Sequence, residues 1–309
     1  MVSCFLMDLR QLAALTAVAD HRSFSAAARA LHTVQSNNST HVASLERELG
    51  ATLVDRATGE LTEAGEVVVG RARQIQAELT AITSDVTSTL GEVSGSVRVG
   101  VIGTTGRWLV PTLLAEVGER YPRVRLITVD ATTTSLLPQL ASGRLDLAVV
   151  NLPAPDPDVE VEPLFVEDHV ILAPIDHPLA ANDTLQLSDL AGIPLLLEPP
   201  GTGFRDHLDA DAQRSGVTLV AQAEVDGMRL LASLAYQGFG AAVLPASAVV
   251  DWDSGTWKSI PLEGTTRRGV GLALPRRGRQ TSAARATVDV LRDVIAREVP
   301  SLPGLSLPS

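Results

Sequence analysis

Cysteine is almost missing: the single thiol, Cys4, excludes an intramolecular disulfide and any multi-cysteine metal site. Aromatics are scarce at 3% of 309 residues, so the core has to be built from Ala, Val and Leu. No apolar run approaches the roughly 20 residues a membrane-spanning helix needs. The apolar opening up to Met7 is too short for a secretory leader, and acidic Asp8 follows at once. There is no G-x-S-x-G nucleophile elbow, and His169, His177 and His207 have no nucleophile beside them. These absences argue against disulfide-stapled, membrane and hydrolase classes. The expectation they leave is a cytoplasmic protein that is not an enzyme, with no metal and no cofactor.

What is present fits a globular chain of about two domains. Hydrophobic residues make up 45% and charged residues 20%, enough apolar material to fill a core. The net charge of −11, read for the whole chain, argues against a nucleic-acid partner. The first sixty residues, however, set Arg10, Arg22, Arg29, Arg47 and Arg56 against six carboxylates, so that stretch is near neutral. Charge neither makes nor removes the case for DNA.

Residues 8–20 place Leu9, Leu12, Leu15 and Val18 on one helical face. Ser23 and Ser25 can cap a short helix through Leu31, and after a turn at His32-Thr33 a third helix carries the inward stripe Val34, Asn38, Val42 and Leu45. Leu53–Arg56 and Glu60-Leu61 read as a small β-hairpin. From Thr62 onward Val68, Ala72, Ile75, Leu79, Ile82 and Val86 recur at alternating spacings of four and three, the a/d seam of a helix that dimerises. Gly91–Gly95 breaks that pattern as a hinge. Beyond it strand and helix alternate, the pattern of a parallel α/β sheet. The Pro-rich stretch Asn151–Asp158 looks like a crossover into a second lobe.

Three stretches in this order resemble the LysR-type transcriptional regulators: Leu9-Arg10-Gln11-Leu12 through Ser23–His32; Val34–Asn37 with Leu45-Glu46, Leu49-Gly50 and Leu53; and Arg56 followed by Leu61-Thr62-Glu63-Ala64-Gly65. Gly143–Ala148 and Gly238–Pro245 are also similar to stretches of that family. The likeness covers residue 7 to about 299. It implies an α+β multidomain chain: a winged helix-turn-helix over 7–62, a linker helix over 63–91 and a two-lobed α/β effector domain over 95–299. That domain resembles type 2 periplasmic binding proteins, with lobe I at about 95–160 and 267–299 and lobe II at about 161–266. A flexible tail spans 300–309.

The resemblance implies a recognition helix at Thr33–Glu46 lying in the major groove of double-stranded DNA. Gln35, Ser36, Asn37, Ser39 and Thr40 are the candidate base or phosphate contacts, with Arg29 and Arg56 as phosphate clamps. Thr40 stands where the family often has a basic residue. Asn38 is the sharper departure, because the inward stripe calls for an apolar side chain there. A buried amide without partners costs on the order of 1–3 kcal/mol, so either a hydrogen bond rescues Asn38 or the module is unusually soft.

Ligands of two-lobed α/β domains bind outside the carboxyl ends of strands. The segments there offer Thr104, Thr105, Thr132, Thr133 and Asn151 from lobe I, and Thr202, Gly203, Arg205 and Asp226 from lobe II. Hydroxyls and helix N-termini suit a small anionic metabolite; for each Thr taken alone helix capping is the commoner role, and the cleft rests on several converging. The implied partners are DNA, that effector, further copies of the chain as a homodimer or tetramer, and RNA polymerase. Two alternatives remain: a degenerate regulator that dimerises but binds DNA weakly, and a dinucleotide-dependent enzyme. The second rests on Gly100–Gly106, whose G-x-x-G-x-x-G spacing misses the G-x-G-x-x-G fingerprint.

Overall fold

The computed structural model describes residues 7–89, 92–249, 255–276, 278 and 280–308. Cys4 and Gly91 lie outside the described residues. The first helix, α1 (Leu9–His21), opens with a capping box: the Asp8 carboxylate accepts from the Arg10 and Gln11 amides, and the Gln11 side chain accepts from the Asp8 amide. Ser23 caps α2 (Phe24–Ala30) by accepting from Ala26 N–H, and α3 (Gln35–Leu49) ends at Gly50 in the left-handed region. Leu15, Val18, Ala27, Val42, Leu45, Leu53 and Val54 close a dry core between the three helices.

The expected hairpin wing shrinks to a single bridge between Val54 and Leu61. The cause is local. The Asp55 carboxylate accepts from the Ala57 and Thr58 amides, a turn that draws the backbone away from a longer ladder.

Helix α4 (Glu63–Thr89) is capped by Thr62, which accepts from Gly65 N–H at 3.1 Å. Its apolar seam divides in two. Val68 and Ala72 pack into the winged-helix core, whereas Ile75, Leu79, Ile82 and Val86 are exposed.

Two six-stranded sheets follow. Lobe I contains β1 (Ser94–Val101), α5 (Gly103–Arg120), β2 (Arg123–Asp130), α6 (Thr133–Ala141), β3 (Leu147–Asn151) and β4 (Val159–Glu167). Lobe II holds β5 (His169–Pro174), β6 (Leu185–Gln186), β7 (Pro194–Leu197), α7 (Gly203–Arg214), β8 (Val220–Glu224), α8 (Met228–Tyr236), β9 (Ala242–Pro245) and β10 (Trp257–Glu263). The chain then returns to lobe I with β11 (Arg268–Pro275), α9 (Ser282–Glu298) and β12 (Leu305–Ser306). Strand order is β12-β4-β11-β3-β1-β2 in lobe I and β6-β10-β5-β9-β7-β8 in lobe II. The sheets are therefore mixed rather than parallel. β1, β2 and β3 run parallel, and the crossing strands β4 and β11 are antiparallel partners.

Two boundaries differ from the expected ones. Lobe I extends to Glu167, not to about 160, because β4 pairs with β11 along its length. The signal was present: Val159 is buried and Glu160 exposed, and Leu164 and Phe165 fill the core. The tail is not frayed. Leu305 is buried, β12 pairs with β4, and the Gly304 carbonyl accepts from Asp168 N–H at 2.8 Å. Gly304 sits at φ +75°, and a Cβ there would come within 2.8 Å of the Ala246 methyl, so glycine is required.

The crossovers converge on a buried ion pair. Arg268 Nε donates to Glu167 Oε1 at 2.8 Å, and Nη2 also reaches that oxygen. Nη2 donates to Thr104 Oγ1 at 2.9 Å and Ser247 Oγ at 3.3 Å, while Ser247 N–H donates to Glu167 Oε2 at 2.9 Å. Beside it His169, bonded through Nδ1 to Thr265 Oγ1, is pushed down to about 4 by burial and then by the charge of Arg268.

Asn38 is fully buried on α3, and neither its Oδ1 nor its Nδ2 has a hydrogen-bond partner. Its neighbours on the stripe are Val42 and Leu45. Asn38→Val should therefore stabilise the winged helix by about 1–3 kcal/mol, read as a higher melting temperature. An unchanged or lower value would mean that the amide has a partner in solution.

Candidate functional site

The N-terminal module presents one exposed polar surface at the start of α3. Gln35, Ser36, Asn37 and Thr40 are exposed and Ser39 half-buried. No side chain caps this helix, whose N-cap residue is Val34, and the Asn37 amide donates to the Val34 carbonyl, which leaves the Gln35 and Ser36 amides as candidate donors to an anionic backbone. Gln35 and Asn37 carry amides able to pair bidentately with adenine. Thr40 Oγ1 donates back to the Ser36 carbonyl at 2.8 Å, leaving its lone pairs but not its proton for a ligand. Arg29 stays exposed on α2, bonded to Ser25 Oγ at 3.2 Å. Arg56 is more constrained: it pairs with Glu46 at 3.0 Å, and its guanidinium lies 5.4 Å from the centroid of Phe24. Glu46 also accepts from the Leu53 and Val54 amides, so one carboxylate fixes both the wing's first strand and its arginine.

In the effector domain the candidate residues gather at the carboxyl ends of strands. Thr104 and Thr105 begin α5 just after β1 and are buried. Thr104 accepts from Arg268, but Thr105 Oγ1 has no partner. Thr132 precedes α6 without capping it; its hydroxyl instead bonds Thr134 Oγ1 at 2.9 Å and Ser135 Oγ at 3.2 Å. Thr133 Oγ1 accepts from Asn151 N–H at 2.9 Å, and the Asn151 side-chain oxygen is buried with no partner.

Lobe II behaves differently. Thr202 caps α7, accepting from Arg205 N–H at 3.4 Å, and Gly203 opens that helix. Arg205 is buried and occupied: Nε donates to Asp209 at 2.9 Å and Nη1 to the Glu198 carbonyl at 2.8 Å. Its role is to brace the loop from β7 to α7. Asp226 is exposed ahead of α8.

Sequence reasoning singled out neither Glu198 nor Arg268. Glu198 is buried, and burial pushes its carboxyl above the usual carboxylate range, Asp226 adding to the rise. The Thr202 hydroxyl, Arg268 and Gly227 N–H act the other way. Arg268 bridges the lobes, donating to Thr104 of lobe I and to Ser247, which follows β9 of lobe II. Neither residue carries a pattern: Arg268 is one of several arginines, and Glu198 precedes a Pro-rich loop. Trp108 was missed too; its indole Nε1 is buried without a partner, and the ring packs edge-on against Phe165 at 5.8 Å.

A separate groove of about 850 Å³ opens between α5 and α8, lined by Arg107, Asp130, Arg229, Tyr236 and Trp257 among others. None of the nine candidate effector residues lines it. Arg229 donates to Asp130 at 2.6 Å across its mouth, an exposed pair that contributes little to stability.

Two family models match. Residues 9–66 match the bacterial regulatory helix-turn-helix protein of the lysR family, and residues 90–296 match the LysR substrate binding domain. A probable hydrogen peroxide-inducible genes activator of Streptomyces viridosporus is 36% identical over 245 residues, 78% of each chain. The DNA-binding transcriptional dual regulator OxyR of Escherichia coli is 31% identical, covering 79% of this chain and 80% of that one. Among solved structures, a full-length OxyR from Pseudomonas aeruginosa, a cysteine-to-aspartate variant, superposes with a TM-score of 0.75 at 27% identity, covering 94% and 98%. The winged helix, the two-lobed domain and these relatives together make the chain a member of the LysR family: a DNA-binding transcription regulator and not an enzyme.

Proposed function

We propose that this regulator senses a small anionic metabolite, a carboxylate, bound at the carboxyl ends of β1, β2 and β3. The observation that carries this reading is the set of orphaned polar atoms: Thr105 Oγ1, Asn151 Oδ1 and Trp108 Nε1. Buried polar atoms are nearly always paired. Thr105 and Trp108 stand about one turn apart on α5, Trp108 packs on Phe165, and Phe165 and Asn151 flank Val270 of β11 on either side, an arrangement that supports one shared site. A carboxylate would accept from the Trp108 and Thr105 donors beside Arg268; a hydroxyl on the ligand would satisfy Asn151 Oδ1.

The relatives' names raise hydrogen peroxide as the rival signal. Oxidation of a thiol needs a cysteine, and the only one here, Cys4, precedes the winged helix. Residues 95–299 contain none, which favours reversible binding over thiol chemistry. Acting on DNA, the protein would work in the cytoplasm. The exposed half of the α4 seam, Ile75 to Val86, supports assembly through that helix, and Gln35, Ser36, Asn37, Ser39 and Thr40 would read the DNA.

Thr105→Val replaces an unsatisfied hydroxyl with a methyl group. It should raise the melting temperature of the free protein and remove the upward shift produced by whichever short-chain mono- or dicarboxylate stabilises the parent. A shift that survives in the variant, or stabilisation by no acid at all, would overturn the carboxylate reading. Separately, Ile75→Asp with Ile82→Asp should convert the assembly to monomers in analytical ultracentrifugation, and a retained dimer would move the interface to the effector domain.

A further inference from the structure

Helix α4 meets lobe I through α9 and β1, and, among the described residues, a further contact is made by the far end of a helix that starts in the cleft. Helix α6 begins beside Thr132 and Thr133, whose hydroxyl holds the Asn151 amide. Nine residues on it ends in the turn Ala141–Arg144, with Gly143 at φ +70°. That turn rests on α4. The Ala141 carbonyl accepts from Gln74 Nε2 at 3.5 Å, and a Cβ on Gly143 would lie 3.7 Å from Arg73.

Around this contact lies a polar cavity of about 530 Å³ between three parts of the DNA-binding module and lobe I. Asp20 and Arg22 come from the end of α1, Glu60 from the wing, Glu66 and Arg73 from α4, and Arg144 from lobe I. Arg73 pairs with Asp20 and is itself mostly covered. Burial, then the like charge of Arg73, pushes the Arg144 guanidinium down, while Asp20 and Glu66 act in the opposite sense. Arg144 is therefore the only one of these six charges that belongs to the effector domain, and it faces carboxylates of the winged helix.

We infer that α6 is a lever joining the effector cleft to the wing, with the Arg144 turn docked on the Asp20–Glu66 corner as its output. A helix of nine residues spans about 13 Å at about 1.5 Å per residue. Its middle is held by Leu136 and Leu140, both fully buried. Leu136 also lies so close to Gly100 of β1 that a Cβ there would come within 2.7 Å of it. Interiors packed this closely transmit strain rather than absorb it. A change in the hydrogen bonds of Thr133 at one end tilts the turn at the other, and with it the corner that carries Glu60 and the wing.

Hydrogen–deuterium exchange on the full-length protein tests this without needing the effector or the operator, so its outcome is independent of the carboxylate reading. Arg144→Glu should raise exchange several-fold in residues 18–22 and 58–61, and adding Glu66→Arg should return it to the parent level. Arg144→Ala, which only shortens an exposed side chain, should give a smaller change in the same segments. Thr133→Val, at the other end of α6, should raise exchange in residues 141–144 as well as locally. Unchanged exchange at 18–22 and 58–61 in both Arg144 variants would overturn the docking. A Thr133→Val effect confined to residues 131–135 and 150–152 would overturn the lever.

Discussion

The two lobes are held in one relation by the buried pairing of Arg268 with Glu167. Both crossover segments end on it: Glu167 closes β4 and Arg268 opens β11. Taking two charges out of water is expensive, and the arrangement holds only because the remaining lone pairs and protons are met by Thr104, Ser247 and the Ser247 amide. The planar guanidinium serves where lysine would not, since its donors diverge in a fixed fork toward three partners. Removing one member of such a pair costs about 3–5 kcal/mol, so the hinge has one strongly preferred geometry. Because Thr104 is part of that network and Thr105 its unsatisfied neighbour, a ligand bound as proposed would act directly on the hinge.

The DNA-binding half works under the opposite electrostatic condition. Nearly all of the net charge of −11 lies outside the first sixty residues, which keeps the acidic effector domain away from phosphate while the module itself is close to neutral. With Arg56 engaged by Glu46 and Phe24, contact with the backbone would fall, in the proposed reading, to Arg29, the uncapped amides of α3 and its hydroxyls. Binding of this kind depends on two modules acting together, since one near-neutral module releases few counterions.

Most of the architecture was legible because it rests on local chemistry. Ser23 announced α2 and the heptad spacing announced α4, while the alternation of strand and helix announced the α/β lobes. What escaped were features decided by distant partners. β4 follows a Pro-rich stretch that reads as irregular, and only its pairing with β11 makes it a strand of lobe I. The tail looks frayed by composition, yet Gly304 fits under Ala246 and straps the hinge. Within the site, threonines at strand ends could be listed from sequence, but not which were caps. Thr202 is one, whereas Thr132 and Thr133 bond other groups. Arg205 reads as a ligand clamp until its partners Asp209 and Glu198 are seen. Asn38 is the reverse case, a misfit in the α3 stripe that persists in three dimensions.

The central claim, that this chain reads a particular DNA sequence, is tested most directly by fluorescence anisotropy over a salt series. The full-length protein would be titrated onto the DNA upstream of its own coding sequence and onto a scrambled duplex of equal length. A specific regulator should bind its own upstream DNA at least about a thousandfold more tightly at physiological salt, with affinity falling steeply as salt rises. Equal and weak binding to both duplexes would contradict the account and leave a protein that keeps the fold of the family without its reading of DNA.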